Sequence, residues 1–285
     1  MRVALLTLGL LAAAGVLAAQ QLLYVGPTTD LAPRWAQQGD FDGSILFCRG
    51  NYTSSRYEEN GSGWWTDYPG ADHNFLVRLS ELTEVRVRFD PQRIPFYVVV
   101  GLRDPLLFKC PILFMEDVGT IDFQPIEVDR LRQYFDKGGF LWVDDFWGSR
   151  AWEQWETEIR RILPSGVYPL IDIPADHPIF HQLYDIPGGI WQMPTIGIWQ
   201  GVQCPESDAV TCGPFVTSER GADSAEPHIR GILDDAGRVI VLMTHNTDVA
   251  DGWEEEKPEN LAFINEFSAR SYALGINVFL YAMSH

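Results

Sequence analysis

Leu131-Arg-Gln-Tyr-Phe-Asp-Lys-Gly138-Gly139-Phe140-Leu-Trp-Val143-Asp144-Asp145-Phe-Trp-Gly148 is the stretch that decides the fold. Just upstream, Gln124-Pro125 starts a helix with proline at its first position, and Val128, Leu131 and Phe135 form its apolar stripe. Gly138-Gly139 stops that helix, as a C-terminal glycine does. Phe140 to Val143 follows at once as a buried strand, which Asp144 and Asp145 end. The next helix is predicted from about Ser149 to Leu163, with Trp152, Trp155, Ile159 and Ile162 on one face. Alternating helix and strand at this spacing implies a parallel sheet covered by helices.

The same alternation extends in both directions. Towards the N-terminus, Ser44 to Cys48 reads as the first strand, and a long polar and aromatic loop follows from Gly50 to Pro69. Asp72 is placed to cap a helix reaching Leu82, whose apolar face is Phe75, Leu76, Leu79 and Leu82. Glu84 to Phe89 alternates apolar and charged residues as a half-buried strand would. Tyr97 to Val100 and Ile112 to Met115 are short apolar runs suited to buried strands. Towards the C-terminus, Tyr168 to Phe215 is rich in Pro, Gly and Trp and reads as an excursion from the sheet. Ile229 to Leu233 and Val239 to Thr244 flank a tight turn, and Ser268 to Met283 closes the chain as a helix. The expectation is one three-layer α/β domain over residues 41–285, with no internal repeat and no boundary within it.

Composition sets the compartment. Met1-Arg2, the apolar run Val3 to Leu17 and Ala18-Ala19 have the order of a secretory signal peptide over residues 1–19. The run is shorter than the roughly 20 residues of a spanning helix. Residues 20–40 read as a poorly ordered lead-in. A periplasmic or secreted location is therefore expected, without membrane insertion once the leader is removed. The chain carries 21 basic against 39 acidic residues, a formal charge of −18, which argues against nucleic acid as a partner. In an oxidising compartment Cys204 and Cys212 are placed to close a local disulfide. Cys48 and Cys110 lie in or beside strand-like runs, where pairing and two separate buried thiols are both open.

Ligands of open α/β sheets bind beyond the carboxyl ends of the strands, so the residues directly after each strand are the candidates. Asp144 and Asp145 are two adjacent carboxylates at a strand tip, suited to a metal, a general base or a helix cap. The run Thr244-His245-Asn246-Thr247-Asp248-Val-Ala-Asp251 offers imidazole, amide and carboxylates within a few residues. Trp65, Asp67 and Asp72, with Trp64 beside them, mix aromatic and polar groups as a carbohydrate or peptide surface does. No cofactor is expected beyond a divalent metal held by Asp145, His245 and Asp248. The chain has no G-x-G-x-x-G, no P-loop and no G-x-S-x-G.

Asp67-Tyr-Pro-Gly-Ala-Asp72, the Leu131 to Asp145 stretch, Asp176-His-Pro-Ile-Phe180, His245-Asn-Thr-Asp248 and Leu274-Gly-Ile-Asn-Val278 together resemble the bacterial family known only as domain of unknown function 4159. The resemblance implies a flavodoxin-like, class I glutamine amidotransferase-like domain, often exported, with no established reaction. Such amidotransferases carry a nucleophilic Cys at a sharp strand-to-helix turn. The matching turn here is Val143-Asp144-Asp145-Phe146, which holds carboxylates instead, so glutamine hydrolysis is not expected. The first expectation is thus a non-catalytic ligand-binding or scaffold domain of the envelope, whose partner is a small ligand or an envelope protein. The second is a metal-assisted hydrolase of a glycan or peptide using Asp144, Asp145, His245, Asp248 and Asp251. The third is an interaction module with an exposed aromatic patch near Trp64 and Trp65.

Overall fold

The computed structural model describes residues 32–58, 61–189, 193, 195, 218–256 and 261–284. The leader and the expected Cys204–Cys212 pair lie outside these residues. One sheet holds seven strands: β1 (Phe47–Asn51), β2 (Tyr97–Gly101), β3 (Ile112–Glu116), β4 (Phe140–Asp144), β5 (Leu170–Asp172), β6 (His228–Leu233) and β7 (Val239–His245). Their order is β2-β1-β3-β4-β7-β6-β5. Strands β2, β1, β3, β4 and β7 run parallel, and β6 alone runs against them, pairing antiparallel with both β7 and the edge strand β5. The sheet is therefore mostly, not wholly, parallel. The turn after β6 is too short for a crossover and returns the chain as a hairpin, leaving β6 antiparallel to β7.

The strand side chains alternate between two cores, as the two-residue period requires. Cys48, Leu113, Met115, Leu141, Val143, Val241 and Met243 face α2 (Pro125–Asp136) and α3 (Gly148–Ile162). Phe47, Ile112, Phe114, Phe140, Trp142 and Leu242 face α1 (Gly70–Leu82), the short α4 (Asp251–Glu254) and α5 (Ala269–Ser284). Helices thus cover both faces. The chain enters α5 through Leu261–Phe263 and a π-helical turn, Ile264–Ser268. The approach of α3 to the sheet edge depends on Gly119, where a Cβ would stand 2.3 Å from that of Ala151. Among the described residues no helix is long and apolar enough to cross a membrane.

Several sequence expectations change. Glu84 to Phe89 is not a strand; it makes only the bridges Ile45↔Val87 and Phe89↔Pro95. Its alternation is that of a half-buried extended segment: Val85 and Val87 pack against the core, Glu84 and Arg86 are exposed, and Arg88 lies 3.6 Å over the Phe96 ring and pairs with Asp42. Asp72 does not cap α1, which begins two residues earlier at Gly70 with Pro69 at the cap position. A buried arginine claims its carboxylate instead. β5 emerges within the irregular excursion, and it is too short and half-exposed to show an apolar run. Cys48 and Cys110 form a disulfide with Cα atoms 5.9 Å apart, tying β1 to the segment that leads into β3.

The strand order reverses at β1: the chain goes to one side for β2 and returns to the other for β3. Connections leave such a reversal in opposite directions and open a crevice beyond the carboxyl ends of the two strands. The candidate site lies there.

Candidate carboxylate site

Three neighbouring parallel strands end alike. Glu116-Asp117 ends β3, Asp144-Asp145 ends β4 and His245-Asn246 ends β7. The second residue of each pair is left-handed, with φ of 49° at Asp117, 50° at Asp145 and 59° at Asn246. Asp67, in the loop after β1, has φ of 58°. Asp and Asn tolerate this region better than other side-chain-bearing residues, and such strained positions concentrate where function over-determines the backbone. The turns are tied together by Asp117 N–H donating to Asp145 O and Asn246 N–H to Phe146 O, both at 3.0 Å.

At the centre is Arg49 of β1, fully buried. Its Nε and Nη2 donate to the Asp72 carboxylate at 2.5–3.1 Å, its Nη1 donates to Thr66 O at 2.8 Å, and Nη1 also meets Glu116 Oε2. Burial opposes the guanidinium charge, but the two carboxylates hold it above its usual value. One cation thus faces two anions, and Glu116 keeps its other oxygen, Oε1, buried with no hydrogen-bond partner. Asp67 Oδ2 is in the same condition. A carboxylate oxygen of each of Asp67, Glu116 and Asp248 lies within 4.8 Å of the other two, and the same holds for Asp67, Asp251 and Glu254. Burial, then the neighbouring carboxylates, pushes Asp67, Asp248 and Asp251 well above the ordinary range. For Glu116 burial again leads, outweighing Arg49.

The adjacent aspartates divide. Asp144 is satisfied: Thr244 Oγ1 donates at 2.5 Å, Val249 N–H at 2.8 Å and Ala250 N–H at 3.0 Å. Burial still raises it to about 7. It ties β4 to the start of α4. Asp145 accepts from Trp147 Nε1 at 2.6 Å, and burial raises it to about 6. Its charge is felt by Asp67, Asp248 and Asp251, so it sits beside the cluster. Asp248 takes Asp251 N–H at 2.7 Å.

His245 stands apart. Its ring lies 4.8 Å from Phe146 and 5.3 Å from Trp152 and stacks on His228. Nε2 is 3.1 Å from Gly148 O and Nδ1 is 3.5 Å from Arg230 Nη1. A carbonyl requires Nε2–H as donor, which leaves Nδ1 to accept from the guanidinium, so the imidazole is neutral. Burial lowers its pKa to about 3. The expected metal trio of Asp145, His245 and Asp248 is therefore not one constellation: His245 braces α3, while Asp67 and Glu116 join Asp248. Asn246 also braces α3, accepting from Gly148 N–H at 2.8 Å and donating to Glu226 O at 2.8 Å. Gly148 has φ of 80°, and a Cβ there would meet Asp223 at 2.6 Å. Trp65 packs on Trp64 at 4.9 Å and Tyr68 at 5.2 Å, half-buried, and so shapes the loop carrying Asp67.

The sequence reading missed Arg49, Glu116 and Asp117. Glu116-Asp117 follows the apolar run Ile112 to Met115 just as Asp144-Asp145 follows Phe140 to Val143, so the same strand-tip rule would have found it.

The family model described as Domain of unknown function (DUF4159) matches residues 53–283. The chain belongs to this family. No curated protein matches it. The matched span contains every carboxylate of the cluster but begins just after β1, so Arg49 lies outside it.

Proposed function

We propose that this domain binds a hard divalent cation at the carboxyl edge of its parallel sheet, and through that cation a polar ligand. The observation that carries the reading is the buried Glu116 Oε1, without a hydrogen-bond partner, in a carboxylate that approaches oxygens of Asp67 and Asp248 within 4.8 Å. A buried carboxylate oxygen with no partner costs roughly 1–3 kcal/mol or more, and a cation removes that cost. Oxygen-only donors fit Ca²⁺, Mg²⁺ or Mn²⁺ rather than zinc or copper. Asp251 and Glu254 extend the donor set through Asp67.

The remainder of the reading builds on this site. The domain acts in the envelope as an exported ligand-binding protein, consistent with the leader-like N-terminus. The start of its strand order, β2-β1-β3-β4, agrees with a flavodoxin-like and glutamine amidotransferase-like assignment. Metal-assisted hydrolysis is the second reading, favoured by Asp145. That carboxyl is raised to about 6 beside the cluster while belonging to neither donor set, as a general base near neutral pH would be.

The test is metal content after purification without chelators, for wild type and for Asp67→Asn and Asp248→Asn. A divalent ion near one equivalent or more in wild type, lost in both variants, supports the reading. Wild-type protein that is folded, metal-free and indifferent to added Ca²⁺, Mg²⁺ and Mn²⁺ contradicts it. Asp145→Asn separates the two readings: it spares cation binding in both and abolishes turnover only in the second.

A further inference from the structure

Beside the carboxylate cluster lies a cavity of about 270 Å³ lined by Arg56, Tyr57, Glu58, Trp147, Arg150, Arg220 and Asp223. Three guanidiniums line it, in a chain of net charge −18. The two acids are already engaged. Glu58 pairs with Arg56 and lies 3.7 Å from Arg220, and Asp223 accepts from Ser149 N–H at 2.8 Å and Ser149 Oγ at 2.6 Å. Arg56 also donates to Gly119 O at 2.7 Å, which fixes its plane. Arg150 is exposed and forms no ion pair among the described residues. The lining residues carry three guanidiniums against two carboxylates, Glu219 pairs with Arg220 at 3.4 Å from outside the lining, and the exposed Arg150 brings an uncommitted guanidinium fork.

The aromatic residues give the cavity direction. Trp147 is buried, and its Nε1 donates to Asp145. The cavity wall thus touches the residue that borders the carboxylate cluster. Tyr57 stands 83% exposed at the rim. A ligand anchored in the cavity can lay an apolar face on the Tyr57 ring while its far end reaches towards Asp145.

We propose that this cavity is an oxyanion subsite, taking a phosphate, sulfate or carboxylate group of the ligand against Arg150, with Arg56 and Arg220 behind it. Planar guanidinium forks match such groups with two parallel N–H···O bonds. The subsite does not require a cation in the neighbouring cluster.

The test is calorimetric titration of the full chain, treated with chelator, with inorganic phosphate, sulfate and acetate at constant ionic strength. At least one anion is expected to bind saturably at one site, and the tightest of them names the group. Arg150→Ala, on an exposed helical position, is expected to weaken binding about tenfold without changing the melting temperature. Arg150→Lys is expected to recover only part of it. Absence of saturable binding, or binding undiminished in Arg150→Ala, overturns the proposal. Because chelator removes any divalent ion, failure of the cation reading leaves this result unaffected, and the converse also holds.

Discussion

Two kinds of buried carboxylate share one edge of the sheet. Asp72 and Asp144 have every oxygen answered, the first by the Arg49 fork and the second by a hydroxyl and two backbone amides. Asp67 and Glu116, a few ångströms away, each keep an oxygen unanswered. Asp72, Asp144 and Glu116 are fully buried and Asp67 is half-buried with its Oδ2 enclosed, so the difference lies in what the fold supplies around those oxygens. The satisfied pair holds strands and loops in place, and the unsatisfied pair is where the proposed cation would bind.

Substitutions can sharpen that contrast. The largest effect is expected at Arg49: Arg49→Met strands Asp72 and Glu116 as uncompensated buried charges and should cost about 3–5 kcal/mol in denaturant unfolding. Replacing Cys48 and Cys110 together by Ser removes a cross-link spanning 62 residues and should cost about 2–4 kcal/mol in the same assay. Asp144→Ala leaves the Val249 and Ala250 amides without their acceptor, while Thr244 Oγ1 keeps Val143 O at 3.1 Å, and should cost about 1–3 kcal/mol. Asp67→Asn should behave oppositely. In cation-free buffer it removes repulsion and should leave the melting temperature unchanged or higher. A loss matching that of Asp144→Ala would erase the distinction between the two kinds.

The pH dependence carries the same contrast. Carboxyls raised in the folded state, to about 6 at Asp145 and about 7 at Asp144 and Asp117, contribute stability that is complete below their unfolded values near 4. That contribution is lost as pH rises through 6 and 7, because the folded state then holds more protons than the unfolded chain. His245 acts in reverse: held neutral down to about 3, it costs stability below its unfolded value near 6.5. The melting temperature of cation-free protein should therefore fall from about pH 6 to pH 8. A flat or rising profile there would mean the carboxyls are ionised and satisfied.

The fold was legible because its signals are local. Gly138-Gly139, the apolar run Phe140 to Val143 and the stripe of Trp155, Ile159 and Ile162 each announce an element without knowledge of its neighbours. β5 escaped because three half-exposed residues carry no period. Glu84 to Phe89 misled because Val85 and Val87 pack on the core as strand residues do, while the segment makes only isolated bridges. The site was legible only in part. Asp67, Asp248 and Asp251 stood out as acids near strand tips, but their meeting with Glu116 depends on the order β1-β3-β4-β7, which local pattern does not encode. His245 looked like a ligand by composition, yet along a strand neighbouring side chains point to opposite faces. Its ring turns to Phe146 and Trp152, away from the acids.

The most direct test is calorimetric titration of chelator-treated protein with Ca²⁺, Mg²⁺ and Mn²⁺ near pH 7.5, for wild type beside Asp67→Asn and Asp144→Asn. Saturable binding of at least one ion by wild type, abolished in Asp67→Asn and retained in folded Asp144→Asn, is the predicted result. Absence of binding by folded wild type, or binding untouched by Asp67→Asn, would contradict the assignment of the Asp67, Glu116 and Asp248 cluster as a cation site.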